Sequence, residues 1–382
     1  MAAGDYQMCS RCVMDTTDPD IVFDDFGVCH HCKAYDEAVR SRVFSGESAR
    51  RELMRLVEDI RRSGRGKDYD CVIGVSGGVD STYVAYKVKE LGLRPLAVHL
   101  DNGWDSELAV KNIEQTLTRL KIDLHTHVID WEEFRDLQLA FLKASTPDSE
   151  IPTDHAIVSL MRQTAERLGL SYVIFGCNVR SESHLPTAWS QGHWDWRYIK
   201  SVHKLFGTVP LRTFPHTHLI DHYRYRMTQQ WIDILNYLDY VKDEAKTLLI
   251  QELGWRDYGG KHFESIYTRF YQGYILPRKF GYDKRRTHLS SLICSGEMTR
   301  RQALESLREE PYPLDQQLAD REYVIKKLGL TPKTFDEIMI QPARSYWDYP
   351  SYGRWLRSAM YQWGQRAYRL LKPRRTGGLA SS

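Results

Sequence analysis

Six consecutive residues between an apolar run and a helical pattern have the types needed to bind phosphate. They are Ser76-Gly77-Gly78-Val79-Asp80-Ser81. Glycines let backbone N–H groups approach phosphate oxygens without an intervening Cβ. The N-terminus of the next helix directs unpaired amides and its positive dipole end toward the same point. We therefore predict a phosphate-binding loop, with a tight turn capped by Asp80 as the alternative.

The loop differs from the Walker motif because it has no Gly-Lys-Ser/Thr ending. The Walker lysine normally contacts the β- and γ-phosphates, whereas here the side-chain donors are the hydroxyls of Ser76 and Ser81. Such a loop suits a nucleotide whose pyrophosphate is the leaving group.

Four of the seven cysteines form two Cys-x2-Cys pairs near the N-terminus, Cys9/Cys12 and Cys29/Cys32, with 16 residues between the pairs. This is zinc-ribbon spacing, in which two knuckles supply four thiolates to one structural zinc. His30 and His31 lie inside the second pair and could replace a sulfur, and an iron–sulfur cluster is the other alternative. Roughly 30 residues could not bury enough apolar surface to fold without such a metal.

Strands and helices alternate after Asp70. Apolar runs at 71–76, 94–103, 123–130 and 171–178 read as strands, and helical patterns follow the first, second and third of them. This alternation predicts an α/β fold, a doubly wound parallel sheet with helices on both faces. Because ligands bind at the carboxyl ends of such strands, the polar residues there form one rim.

The rest of the chain divides around this sheet. We predict a zinc-ribbon module over 1–40, a helical linker over 41–66, the ATP-binding domain over 67–225, a mostly helical substrate domain over 226–345, and a C-terminal helix and tail over 346–382. The stretch 225–254 has a helical pattern, and the tail is basic.

Composition sets broad limits on function. The 382 residues are 42% hydrophobic and 27% charged, which excludes a disordered or fibrous protein. A net charge of +3 indicates no nucleic-acid partner. Neither a signal peptide nor a run of 18 apolar residues is present, so we expect a cytoplasmic protein without stable membrane insertion.

Residues 259–296 are dense in Lys, Arg, His and Tyr. Lys261, Arg285 and Arg286 lie here, and we expect several of these cations to close over ATP phosphates and an anionic substrate. Lys261 is predicted to be catalytic, and the two arginines are predicted to bind substrate. A solvated basic surface is the alternative, and aromatic residues among the cations could also stack on a base or bind RNA.

The Ser-Gly-Gly-x-Asp-Ser pattern resembles the PP-loop of ATP pyrophosphatases, which form AMP and pyrophosphate while adenylating a substrate oxygen. The resemblance implies that Ser76, Gly77, Gly78, Asp80 and Ser81 surround the pyrophosphate, that Mg²⁺ bridges its oxygens, and that Asp80 and Ser81 are catalytic.

The strand ends complete the site implied by this resemblance. After the second strand, Asp101, Asn102 and Gly103 are expected at the adenosine, with a plain turn as the alternative. After the fourth strand, Gly176 is expected at the nucleotide, and the substrate rim is expected to hold Cys177, Asn178 and Glu182. Cys177 replaces a histidine common in relatives, and it is either a nucleophile or a buried structural cysteine.

Three segments together resemble the N-acetyl sugar amidotransferases of bacterial O-antigen biosynthesis. They are CSRCVMDTTDPDIVFDDFGVCHHC, YDCVIGVSGGVDSTYVAY and RKFGYDKRRTHLSSLICSGEMTR. The resemblance implies that ATP adenylates the N-acetyl oxygen of a UDP-linked sugar, expected to be a uronic acid. Ammonia would then replace AMP to give an acetamidino group.

The resemblance also implies partners. Glutaminase activity needs a cysteine nucleophile with a histidine partner, and no such elbow is recognisable around Cys71 or Cys294. A separate glutaminase subunit and a cyclase-like companion, resembling those of histidine biosynthesis, would then supply ammonia. The rival interpretation is a tRNA-modifying, thiolating PP-loop enzyme, which would use a catalytic cysteine such as Cys177.

Overall fold

The computed structural model describes residues 6–260, 263–357, 360, 363 and 364. Its centre is a parallel sheet of five strands in the order β3-β2-β1-β4-β5. The strands are β1 (Cys71–Gly74), β2 (Pro95–Asp101), β3 (Asp123–Val128), β4 (Tyr172–Phe175) and β5 (Gln230–Asp233). The register aligns Val72 with Leu96 of β2 and with Val173 of β4.

Side chains that alternate along β1 face two separate apolar layers. Val72 packs with Val98, Val173 and the helices on one face, whereas Cys71 and Ile73 pack into the layer on the other face. Because successive strand residues point to opposite faces, this burial on both sides requires helices above and below the sheet. The predicted α/β architecture with a parallel sheet is confirmed.

Within residues 6–233, two helices precede the sheet and the others lie between its strands. They are α1 (His30–Arg42), α2 (Gly46–Ser63), α3 (Val79–Glu90), α4 (Glu107–Leu120), α5 (Trp131–Ala144), α6 (Ile151–Arg167), α7 (Val179–Glu182), α8 (Trp196–Phe206) and α9 (Leu219–Thr228). Among them, α4 and α5 begin at side-chain caps: Ser106 accepts a hydrogen bond from the amide of Ala109, and Asp130 accepts from those of Glu132 and Glu133.

The C-terminal part is helical and packs on the sheet domain. Its elements are α10 (Lys242–Leu253), α11 (Ile266–Phe270), a π-helix (Tyr271–Phe280), α12 (Arg285–Ser295), α13 (Arg300–Arg308), α14 (Leu314–Leu328), α15 (Pro332–Ile340) and α16 (Tyr352–Arg357), with 3₁₀ turns at Ile234–Tyr237 and Tyr346–Asp348. Phe270 and Phe335 are buried in the same apolar layer as Val72. The two halves therefore share a core.

The stretch 225–254 differs from its predicted helix. Gln230–Asp233 forms β5, which pairs in parallel with β4. The prediction of continuous helix is wrong here, because strand pairing with β4 and burial of Ile232 outweigh the local helical pattern. The sheet therefore continues past residue 225, the predicted end of the ATP-binding domain.

Candidate active site at the carboxyl ends of the strands

The glycine loop lies between β1 and α3, at the centre of the sheet. The strand order places β2 on one side of β1 and β4 on the other. In an open parallel sheet, the connections diverge at this point and leave a crevice beyond the carboxyl ends of the strands. The sheet topology therefore places residues 76–81 where such folds bind ligands.

Gly77 gives the loop its shape. Its φ of +78° lies in the left-handed region, and a Cβ there would approach the carbonyl oxygen of Ala109 in α4 to 2.6 Å. Its own carbonyl accepts a hydrogen bond of 2.9 Å from the indole of buried Trp255. Only glycine satisfies this backbone conformation and this close approach.

Amides of the loop donate hydrogen bonds to hydroxyl oxygens near the N-terminus of α3. The amide of Ser76 donates to Ser81 Oγ at 3.2 Å, and the amide of Gly78 donates to Ser76 Oγ at 3.3 Å. The amide of Val79 donates to the hydroxyl of Tyr258 at 3.2 Å. These N–H groups therefore already donate to oxygen atoms, as amides that bind a phosphate do.

Asp80 lies in the first turn of α3 and borders the cleft. Its carboxylate accepts a hydrogen bond from the hydroxyl of Tyr240. Burial, together with the Asp80 charge, raises the pKa of Tyr240 far above its usual value. Tyr240 therefore stays a hydrogen-bond donor that holds this carboxylate in place.

His99 of β2 is a cleft residue that the sequence analysis did not single out. Its Nδ1 lies 2.9 Å from the carbonyl oxygen of Val75, and its Nε2 lies 3.1 Å from the Asp105 carboxylate. Both partners are acceptors, so both nitrogens donate only in the imidazolium form. Burial is the largest single effect and lowers the pKa of His99, but Asp105, the Val75 carbonyl and Asp101 together outweigh it, so the pKa is raised.

The residues predicted after the second strand have separate locations. Asn102 borders the cleft and accepts a hydrogen bond from the Trp104 amide at 3.1 Å. Asp101 accepts from the Gly103 amide at 2.9 Å and faces a different groove, between α4 and β3. Gly103 has a φ of +78°. The turn alternative thus describes Asp101 and Gly103, and only Asn102 lines the cleft.

The residues predicted after the fourth strand also divide. Gly176, Cys177 and Glu182 line the cleft, and Cys177 is exposed rather than buried. A Cβ on Gly176 would lie 3.3 Å from the backbone of Asp80 and Ser81, so β4 ends close against α3. Asn178 is buried, and its side chain caps α7 by accepting from the Ser181 amide at 2.9 Å. Asn178 is therefore structural.

The cleft has a volume of about 540 Å³, within the range usual for small-molecule sites. One side, the strand-end wall, comprises the cleft residues of 74–81, 98–105 and 175–177. The other, the helical wall, comprises the cleft residues of 242–298, among them Lys242, Lys246, Asp257, Tyr258, Glu264, Lys284 and His288. The backbone joins the walls, because the Ser106 amide donates to the Glu264 carbonyl at 2.8 Å.

Arg285 and Arg286 do not contribute to the cleft. Arg285 pairs with Asp283 and donates to the carbonyls of Ser306 and Glu309. Arg286 donates to the Val13 carbonyl at 2.8 Å and pairs with Asp15 at 3.0 Å. The structure thus contradicts their placement at the substrate, because internal acceptors hold both guanidinium groups.

The neighbouring Lys284 lines the cleft instead, and the basic composition of 259–296 did not distinguish it from the arginines. Lys261, predicted to be catalytic, lies outside the described residues.

The four N-terminal cysteines converge as predicted. All are fully buried, and their sulfurs are 3.7–3.9 Å apart for the pairs Cys9–Cys32, Cys12–Cys29 and Cys29–Cys32. Four sulfurs bound tetrahedrally to zinc at about 2.3 Å are roughly 3.8 Å apart. The cluster could therefore hold one metal ion such as zinc, whereas the several irons of a cluster would require more room between the sulfurs.

Neither histidine of the second knuckle replaces a sulfur. His31 Nε2 lies 2.7 Å from the Asp18 carboxylate, and His30 Nδ1 accepts from the Val22 amide at 3.1 Å. Backbone amides instead support the sulfurs, since Cys9 Sγ accepts from the amide of Cys29 at 3.2 Å.

Comparison with known proteins gives a family match for the C-terminal part of the chain. Residues 264–362 match a family model described as "LPS biosynthesis protein WbpG-like, C-terminal domain". No curated protein matches the chain. The matched segment begins at Glu264 and supplies part of the helical wall, including Lys284 and His288.

Across the described residues, we find no helix both long and apolar enough to cross a bilayer.

Proposed function

We propose that the chain is an ATP-dependent, AMP-forming amidotransferase of lipopolysaccharide O-antigen biosynthesis. One observation carries the proposal. A PP-loop-like segment at the switch point of a parallel sheet faces, across one cleft, a wall whose residues from Glu264 onward match a WbpG-like lipopolysaccharide biosynthesis family model. The nucleotide and the substrate can then meet between the two walls.

In the first half-reaction, the N-acetyl oxygen of a UDP-linked sugar attacks the α-phosphorus of ATP. The bond to the bridging oxygen breaks, and pyrophosphate departs. The amides of Ser76, Gly78 and Val79 already donate to hydroxyl oxygens and would exchange these acceptors for phosphate oxygens. When protonated, His99 would add positive charge at the same wall.

In the second half-reaction, ammonia attacks the activated carbon. The carbon–oxygen bond then breaks, AMP carries the oxygen away, and loss of protons from nitrogen leaves an acetamidino group. An amide oxygen is a poor leaving group, and adenylation converts it into a good one. The protein contributes position and charge stabilisation.

Divalent magnesium would neutralise phosphate charge when bound. Asp80 is the only carboxylate within the loop, and carboxylate oxygens are suitable Mg²⁺ ligands. The Tyr240 hydroxyl orients that carboxylate. We also propose that Cys9, Cys12, Cys29 and Cys32 hold a structural zinc, since four thiolates leave no open coordination position.

The helical wall suits the sugar nucleotide. Lys284, His288 and Lys242 provide cations or donors for phosphate or carboxylate groups. Glu182 and Cys177 lie at the opposite rim. Ammonia would come from a separate glutaminase subunit with a cyclase-like companion, and the reaction would take place in the cytoplasm.

The decisive experiment supplies the purified chain with ATP, Mg²⁺ and ammonium salt and with a panel of UDP- and CMP-linked N-acetyl sugars. We expect AMP, pyrophosphate and a sugar whose mass reflects replacement of oxygen by NH. Omission of ammonium should abolish the new product. Absence of AMP with every sugar, and also with glutamine and the glutaminase subunit, would refute the proposal.

A thiolating enzyme is the second candidate, because Cys177 is exposed in the cleft. Thiolation would require this sulfur, whereas amidation would not. Cys177→Ala should therefore retain most amidation activity. If the variant binds ATP but has lost turnover, thiolation is favoured.

A further inference from the structure

Two side chains beside the cysteine cluster have no part in the proposed reaction. Cys294 lies in α12, and its sulfur is 3.7 Å from that of Cys32. His184 follows α7, is fully buried, and its Nε2 is 3.7 Å from the Cys294 sulfur. One ligand atom from each of Cys32, His184 and Cys294 lies within 4.8 Å of the others.

Hydrogen bonding fixes the form of His184. Its Nδ1 lies 2.9 Å from the hydroxyl oxygen of Ser291, and that hydroxyl donates its proton to the Thr287 carbonyl at 3.1 Å. The Ser291 oxygen is therefore an acceptor, and Nδ1 must carry the imidazole proton. Nε2 then presents a lone pair toward two sulfurs. Metal-binding histidines are oriented in the same way, by a hydrogen bond from the other nitrogen.

We propose a second zinc position, bound by Cys32, Cys294 and His184, with the Cys32 thiolate bridging it to the four-cysteine zinc. The spacing agrees with zinc chemistry, since two sulfurs on one tetrahedral zinc are roughly 3.8 Å apart. Thiolate and imidazole donors together favour zinc over magnesium or calcium. Three protein ligands leave a fourth position for water or another exogenous ligand.

This second ion would connect the N-terminal module to the walls of the cleft. Cys294 belongs to the same helix as His288 and Leu292, which line the cleft, and His184 follows Glu182, which lies at its rim. Loss of the ion would loosen these contacts while leaving the four-cysteine ion in place. The inference concerns metal binding and does not depend on the proposed reaction.

Metal content tests the proposal directly. The full chain, purified with added zinc, is measured by native mass spectrometry and by elemental analysis. We expect two zinc ions per chain, and one in Cys294→Ser and in His184→Gln. Cys177→Ser is the matched control, since this cysteine is exposed and remote from the cluster in sequence, and it should retain two. Circular dichroism verifies folding of each variant.

Cobalt substitution provides a second readout. Co²⁺ at the second position should add thiolate-to-cobalt absorption that Cys294→Ser removes and Cys177→Ser preserves. One zinc in the wild-type chain, unchanged in both site variants, would overturn the proposal and leave Cys294 as a thiol beside Cys32. Loss of all zinc in Cys294→Ser would also overturn it, because the two positions would not be separate.

Discussion

The strand-end wall and the helical wall border the same cleft but are built from different kinds of segments. The first takes its shape from short contiguous segments, such as Ser76 to Ser81, whose backbone is fixed by β1 and α3. The second combines side chains from α10, the loop before α11, and α12, which only tertiary packing brings together. Under the proposed function, backbone donors of the first wall would bind the nucleotide, and side chains of the second would select the substrate.

Replacing Asp80 should give the largest effect if the strand-end wall performs the chemistry. In Asp80→Ala, we expect AMP formation to fall by at least ~100-fold, because the group predicted to place the metal–phosphate charge is lost. The rate of AMP release checks this, and the melting temperature checks the fold. Glu90→Ala, at the exposed end of the same helix, is the control. Unchanged AMP formation in Asp80→Ala would contradict its role.

Alanine substitutions of the two glycines in the loop should affect different properties, stability for Gly77 and ATP binding for Gly78. Gly77→Ala places its Cβ 2.6 Å from the Ala109 carbonyl at a φ of +78°, so we expect a loss of about 1–3 kcal/mol or more in the free energy of unfolding. Urea unfolding measures it.

Gly78 has a φ of −70°, so alanine is tolerated by the backbone. Its Cβ would lie 3.1–3.2 Å from polar atoms of Glu264, Tyr258 and Ser76. We expect Gly78→Ala to weaken ATP binding about 10-fold with little change in stability. Calorimetric titration with ATP measures the affinity of each variant. If Gly77→Ala and Gly78→Ala changed ATP affinity and stability to the same extent, the two glycines would not have the separate roles described.

Adjacent cations test the helical wall. Lys284→Met should raise the KM for an anionic sugar nucleotide about 10-fold, because a charged cleft group is lost. Arg285→Met should instead lower stability by about 1 kcal/mol or more and leave KM unchanged, since it removes the contacts with Asp283, Ser306 and Glu309. Steady-state kinetics measures KM, and urea unfolding measures stability. If the sequence-based assignment were correct, Arg285→Met would raise KM and leave stability unchanged.

His99 should give the smallest effect, visible as a pH dependence. Its pKa is raised in the folded state, so its stabilising contribution is full below about pH 6.5, the unfolded pKa, and disappears as pH rises through the folded pKa. The difference in melting temperature between wild type and His99→Gln should therefore narrow from acid to alkaline pH. A difference in melting temperature that widens toward alkaline pH would contradict a raised pKa for His99.

The sequence predicted the parts of the site that are local. The alternation of strands and helices defined the sheet, the glycine pair defined the loop, and Cys-x2-Cys spacing defined the cluster. Asp101 and Asn102 show the limit, because neighbours in one turn face different grooves. Which groove each side chain faces depends on the backbone conformation of the turn, and the spacing of residues in the sequence does not determine that conformation.

The helical wall was less predictable for a physical reason. Lys284, Arg285 and Arg286 are similar in sequence, and only the positions of Asp283, Asp15 and distant carbonyls distinguish a cleft cation from a structural one. The strand β5 was missed for the same reason, since pairing with β4 overrides local pattern. The raised pKa of His99 likewise depends on Asp105, which lies across a turn.

The docking of the N-terminal module has a consequence for biosynthesis. Arg300 donates to the carbonyls of Cys12 and Cys9, and it is 288 residues from Cys12 along the chain. At a translation rate of about 5–20 residues per second, the cysteines emerge from the ribosome roughly 15–60 s before this partner. During that interval the cysteines lack the contacts that Arg300 later makes with their backbone carbonyls, but they can already bind a metal ion. Early capture of zinc would therefore protect the nascent chain from oxidation until its docking surface has been made.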